Sequence, residues 1–213
     1  MSQPDLFDIG AQLRRQFAEY RRERGYNEDS AQQATFEHLA HWAAWHLAGR
    51  GNSLLRRPAR GVYVWGGAGR GKRFIMDCFF NAVPLEARRR MSFQAFTQAF
   101  ESCNSAPSEP RDLVALNLPD TLRHTRLLCL DDLELRASHD FELLSRAVEV
   151  LLEAGTLIVV TSRYAPALPC LEPCEKPGFE TAVRLFQAHF EVAHVQGRQN
   201  YRLSGRDEGA GGA

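Results

Sequence analysis

Apolar residues at the start of the chain recur every three or four positions. Leu6, Ile9, Leu13, Phe17 and Tyr20 form one face, with charge on the other, and predict a helix over residues 5–24. Arg21, Arg22 and Arg24 suit a helix C-terminus, and Gly25 follows them. That cluster has the composition of a nucleic-acid contact, but a solvated helix end is the simpler reading. A second helix is predicted from Asp29 or Ser30, both good N-cap types, to about Leu47, with Phe36, Leu39, Ala40, Ala43 and Leu47 on its apolar face. His38, His41 and His46 lie on it among Trp42 and Trp45. No acid or cysteine completes a metal set with them, so the helix reads as aromatic and partly buried. Residues 49–60, rich in Gly, Asn, Arg and Pro, read as a linker.

From Gly61 the pattern changes. Continuous apolar runs over residues 61–65, 126–132 and 156–162 have the character of strands buried on both faces of a parallel sheet, and residues 90–94 read as a further strand. Between them lie helical stretches at 74–80, 95–103, 141–153 and 182–190, a turn at 81–84, and a polar loop at 105–110. Residues 111–122 are weakly helical and interrupted by Pro119. Pro166, Pro169, Pro173 and Pro177 mark a loop, residues 191–195 a last strand, and 201–203 its partner. The glycine-rich residues 205–213 read as a disordered tail. Strands alternating with helices predict an α/β fold with a mostly parallel sheet, and its 213 residues suffice for one such core with a helical addition. The expected division is a helical segment over 1–52, the core over 53–204, and the tail.

Composition narrows the function classes. Net charge is zero, which gives no strong nucleic-acid signal. No apolar run is long enough to span a bilayer, and Met1 to Asp5 lacks the start of a signal peptide, so the expected location is the cytoplasm. Five scattered cysteines (Cys78, Cys103, Cys129, Cys170, Cys174) read as free thiols. Only Lys72 and Lys176 are lysines among 26 basic residues, which makes a lysine inside a glycine loop less accidental.

That loop carries the chemistry. Gly66, Gly67, Ala68, Gly69, Arg70, Gly71 and Lys72 follow an apolar strand and open a helix, in the spacing of the nucleoside triphosphate phosphate loop. Glycines there let backbone N–H groups turn around a phosphate chain, and the helix N-terminus adds its dipole. Lys72 would sit against the β- and γ-phosphates. The next residue should be a Ser or Thr that holds Mg²⁺; here it is Arg73. Arg73 either folds toward the phosphates in place of metal charge or points away and removes the metal site, and the second reading is preferred. Either predicts ATP binding with weak or lost Mg²⁺ dependence. About sixty residues on, the strand ending Leu128-Cys129-Leu130-Asp131-Asp132 places a first acid, Asp131, as the metal acid and a second, Asp132, as the residue that orients the attacking water.

The order of these pieces resembles the AAA+ ATPase family of the bacterial cell-division protein ZapE and its mitochondrial relatives. The resemblance rests on residues 58–72 with Trp65, on residues 75–80, 128–132 and 154–162, on residues 189–197, and on Tyr201-Arg202-Leu203. It covers roughly residues 27–204 and implies ATP binding and hydrolysis by a RecA-like core, ring assembly with other subunits, and work among division-related proteins. Several positions depart from the family pattern. Arg73 stands for the metal-binding Thr, Asp132 for a Glu, and Arg163 for the Asn that senses the γ-phosphate. Residues 174–179 stand where relatives carry arginines that reach a neighbour's ATP, and the resemblance, which stops at the hairpin, gives the expectation of a core without the family's C-terminal helical lid. The resemblance therefore implies a nucleotide cradle with impaired hydrolysis. The alternative is a silent pseudo-ATPase, an interaction module acting on an active ring-forming relative. The N-terminal helix at 5–24 lies outside the resemblance and is a candidate partner-binding element.

Overall fold

A computed structural model describes residues 6–25, 29–48, 59–104, 118–167 and 178–196. Helices α1 (Leu6–Glu23), α2 (Ser30–Leu47), α3 (Lys72–Ala82), α4 (Phe93–Asn104), α5 (Ser138–Glu153) and α6 (Phe179–His189) alternate in the later chain with strands β1 (Gly61–Trp65), β2 (Arg88–Ser92), β3 (Leu127–Leu133), β4 (Leu157–Ser162) and β5 (Phe190–His194). The strands stand in the order β2-β3-β4-β1-β5, and β3 pairs parallel with both β2 and β4. This is the predicted α/β class.

The chain divides into two compact units, one of Met1–Pro58, Val64–Pro84 and Ala193–Ala213, the other of Ala59–Tyr63 and Leu85–Val192. In the first, α1 buries Ile9, Leu13 and Phe17, and α2 buries Phe36, Leu39, Ala40, Trp42 and Ala43. Phe17 stacks on Phe36 with ring centroids 4.1 Å apart, and Trp42 meets Phe79 of α3. Asp29 caps α2 by accepting the N–H groups of Ala31 and Gln32. Trp42 and Trp45 both pack edge-on to His46. Arg24 approaches Asp77 of α3 at 3.9 Å, so one member of the basic cluster is drawn to that helix. In the second unit, Leu127 to Leu130 and Ile158 to Val160 are fully or almost fully buried, as doubly covered strands must be.

Several boundaries move. The expected strand 90–94 is Arg88–Ser92, and Phe93 and Gln94 belong to α4. Ser92 decides this, because its Oγ accepts the Ala95 N–H at 3.2 Å as an N-cap does, and Phe93, Phe96 and Phe100 then fall on one buried helical face. Helix α3 starts at Lys72 and takes up the first half of the expected turn. Helix α5 begins at Ser138 because Asp140 reaches back to accept the Arg136 and Ala137 N–H groups, and α6 begins at Phe179 behind Gly178. From Pro119 to Thr125 the chain forms turns, with Leu122 and Arg123 N–H groups on the Pro119 carbonyl. Most of the linker (49–58), the loop 105–110, residues 111–117, Pro169, Pro173, Pro177, Cys170, Cys174, the strand 201–203 and the tail lie outside the described residues.

Candidate functional site

The phosphate loop leaves β1 at Gly66 and closes at Gly71, which precedes α3. Two glycines are required by space as well as by spacing. A Cβ at Gly66 would stand 2.7 Å from the Val195 carbonyl oxygen. Gly71 has φ +85°, and a Cβ there would collide with the side-chain amide of Gln32. Gln32 is itself buried and donates from Nε2 to the Arg70 carbonyl at 3.4 Å, which ties the start of α2 to the loop. Lys72, only 7% exposed, donates from Nζ to the carbonyls of Gly66 at 2.5 Å and Gly67 at 2.8 Å. Its ammonium is thus folded into the loop it would serve. Arg73 is solvent-exposed on the first turn of α3. Trp65, which feeds the loop, lies flat on His194, with ring centroids 3.6 Å apart and planes 2° from parallel.

The acidic strand end belongs to the other unit. Pairing between β3 and β4 slips between Leu130 and Leu133, so Asp131 and Asp132 sit in a bulge. Asp132 has φ +52°, the one non-glycine residue with positive φ among the described residues. Its N–H donates to Thr161 Oγ1 at 3.0 Å, while Ser162 Oγ donates to the Leu133 carbonyl at 2.8 Å. These two hydroxyls of β4 hold the bulge from either side. Asp132 is exposed and Arg163, one residue past β4, is exposed as well. Asp131 is differently placed. Arg90 Nε meets its Oδ2 at 2.6 Å, and the two side chains are only 19% and 18% exposed. A cleft of about 430 Å³ opens beside the pair, lined by Asp131 together with Ser92, Thr97, Asp132, Glu134, Arg136 and Asp140 among others.

Arg90, Thr161, Ser162 and Gln32 are the residues that motif reading missed as parts of these sites. Arg90 is traceable from register alone. Ser92 pairs with Asp131 across a parallel ladder and Arg90 with Cys129, so with a period of two Arg90 and Asp131 share one face. Reading β2 two residues too late hides that relation. Among the described residues no three His, Cys, Asp or Glu side chains form a group able to hold a metal ion.

The AFG1-like ATPase family profile matches residues 11–209. The chain belongs to the AFG1-like ATPase family. It is 28% identical to the cell division protein ZapE of Escherichia coli over 157 residues, which is 74% of this chain and 42% of ZapE. It therefore spans less than half the length of that relative. Among solved structures, DnaI superposes with a TM-score of 0.55 at 13% identity, covering 82% of this chain and 86% of DnaI. AMPPCP-bound DnaA from Aquifex aeolicus superposes at 0.54 and 14% identity, covering 84% of this chain and 51% of DnaA. At these identities the likeness is one of fold. As an AFG1-like chain it is a P-loop ATPase family member with an α/β core, and no described helix is long and apolar enough to cross a membrane.

Membership brings an expectation of nucleotide with Mg²⁺, and the donors present fit the metal poorly. The position that should offer a hydroxyl is Arg73, and the carboxylate that should face the ion is paired with Arg90. Mg²⁺ dehydrates reluctantly and is held through one or two carboxylates, so a carboxylate already engaged by a guanidinium has less to offer it.

Proposed function

We propose that this AFG1-like chain binds ATP and ADP through residues 66–73 and hydrolyses ATP slowly or not at all. In this reading the core over 53–204 carries the nucleotide and the segment 1–52 supports it. The observation that carries the reading is the folded loop itself. Buried Lys72 lies across the carbonyls of Gly66 and Gly67, and Gly71 adopts a conformation that only glycine takes without strain. A triphosphate entering the loop would take the Lys72 ammonium from two neutral carbonyls to an anion, a stronger partner.

Weak turnover is supported by the other unit. Asp132, the candidate for orienting water, is shorter than the family Glu and held at φ +52° with its N–H on Thr161. Misplacing a catalytic group by about 1 Å costs about a hundredfold in rate. Arg163 replaces the sensing amide, and loss of a trans arginine costs about 10³ to 10⁵. The similarity to ZapE supports a role among division-related proteins and contact with other subunits. The same substitutions suit a silent module seated on an active relative.

The test is labelled-ATP binding and steady-state hydrolysis by the purified protein beside Lys72→Ala. ATP should bind, and Lys72→Ala should weaken it at least about tenfold. Phosphate release by the natural protein should be slow, or no faster than that by Lys72→Ala. Binding insensitive to Lys72→Ala removes the nucleotide site, and rapid Lys72-dependent turnover removes the claim of impaired hydrolysis. No turnover together with capture by an active homologue selects the module.

A further inference from the structure

The ion pair at the end of β3 decides how Asp131 can be used. Its carboxylate faces a cleft that also presents Asp132, Glu134 and Asp140 together with Arg136, which pairs with Glu134 at 3.0 Å, so acids still outnumber cations along its wall. A metal ion arriving there would meet Asp131 already joined to Arg90 at 2.6 Å. Arg90 is not a surface arginine that chanced on a partner. Its neighbour Arg89 is exposed, Arg88 donates to the Leu85 carbonyl, and Arg90 is turned onto the face of β2 that it shares with Cys129 and Asp131.

We infer that Arg90 is a resident cation for Asp131, occupying the carboxylate that would otherwise take a divalent ion, and that it makes this site metal-indifferent. A guanidinium is charged at every working pH and matches a carboxylate in geometry, so it holds the acid without needing a metal concentration to do so. A divalent ion can displace it only through a difference in affinity for the two arrangements. Arg90 is therefore a specificity-determining residue that sets which cation Asp131 accepts. Its effect on nucleotide binding rests on the proposed ATP site, whereas its effect on metal at Asp131 does not.

The experiment has two arms. In the first, without nucleotide, Mn²⁺ is titrated into isotopically labelled protein, and paramagnetic broadening of the Asp131 and Asp132 amide signals is followed. The natural protein should keep these signals at Mn²⁺ concentrations that broaden them in Arg90→Gln, which retains a donor and loses the charge. Arg90→Lys should behave as the natural protein. Asp131→Asn added to Arg90→Gln should cancel the gain at Asp131. In the second arm, ATP affinity is compared with Mg²⁺ and with a chelator. The natural protein should change by less than about threefold and Arg90→Gln should gain about tenfold or more from Mg²⁺. Early broadening at Asp131 in the natural protein overturns the inference, as does an Arg90→Gln that folds and gains no broadening. If Arg90→Gln does not fold, the natural protein and Arg90→Lys still decide, since either one binding Mn²⁺ at Asp131 sinks the idea. If ATP fails to bind at all, the proposed function fails while the Mn²⁺ arm judges Arg90 alone.

Discussion

The phosphate loop and the acidic end of β3 belong to one expected pattern of residues, and they differ in what holds them. The loop keeps its backbone: glycines where a Cβ would strike Val195 or Gln32, and a lysine folded across two carbonyls. The acidic end keeps two carboxylates, one of them shortened, but joins Asp131 to Arg90 and fixes the Asp132 backbone on Thr161. Binding a polyphosphate depends mainly on fixed N–H groups and one ammonium, whereas hydrolysis depends on side chains free to meet metal and water at the transition state. In the proposed reading the first survives substitutions that weaken the second.

The sharpest way to break this comparison is at Gly71. Gly71→Ala should lower stability by about 2–4 kcal/mol, combining the cost of a left-handed backbone with overpacking against Gln32. Denaturant melts check this, and loop binding should fall with it; an Ala variant as stable as the natural protein would show that the loop is not held by α2. Asp131→Ala comes next. It removes the 2.6 Å charge-assisted bond to Arg90 from a mostly shielded place and should cost about 1.5–3 kcal/mol, with ATP binding little changed. A large loss of ATP affinity at unchanged stability would instead return Asp131 to the nucleotide.

The β2 and β3 region also shows what was legible in the chain beforehand. The α/β class, the order of strands and helices, and the loop all follow from apolar runs and from glycine spacing, because buried parallel strands and phosphate loops tolerate few residue types. The start of β2 is hidden in the sequence because Arg-Arg-Arg carries no apolar alternation; this strand is only partly buried, so its side chains report little of its register. The partners of Asp131 and Asp132 come from β2 and β4, some 30 to 40 positions away in sequence, where spacing along one strand has no say.

Two smaller effects sharpen the contrast. Thr161→Val should cost about 1 kcal/mol through the lost bond to the Asp132 N–H, measured by thermal unfolding, with the loop unaffected. The thiols compare one residue from each unit. Burial pushes the Cys78 thiol on α3 up to about 12 and raises that of Cys129 on β3 as well. Both pKa values are raised in the folded state, so the folded chain holds these protons more tightly than the unfolded one. Stability is then fully present below the ordinary thiol value of about 9 and falls as pH rises toward 12. Alkylation at pH 8 with peptide mapping should mark exposed Cys103 and spare Cys78 and Cys129; rapid labelling of Cys78 alone would show that α3 opens independently.

The flat pairing of Trp65 on His194 gives the molecule an optical handle at the entrance to its loop. Only Trp42 and Trp45 accompany Trp65, and both lie on α2. With those two replaced by Phe, the remaining indole would emit from the last residue before Gly66, its ring pressed against an imidazole on β5. A ligand that shifts Trp65 against His194 should change the emission colour or lifetime, so occupancy could be followed without an added dye.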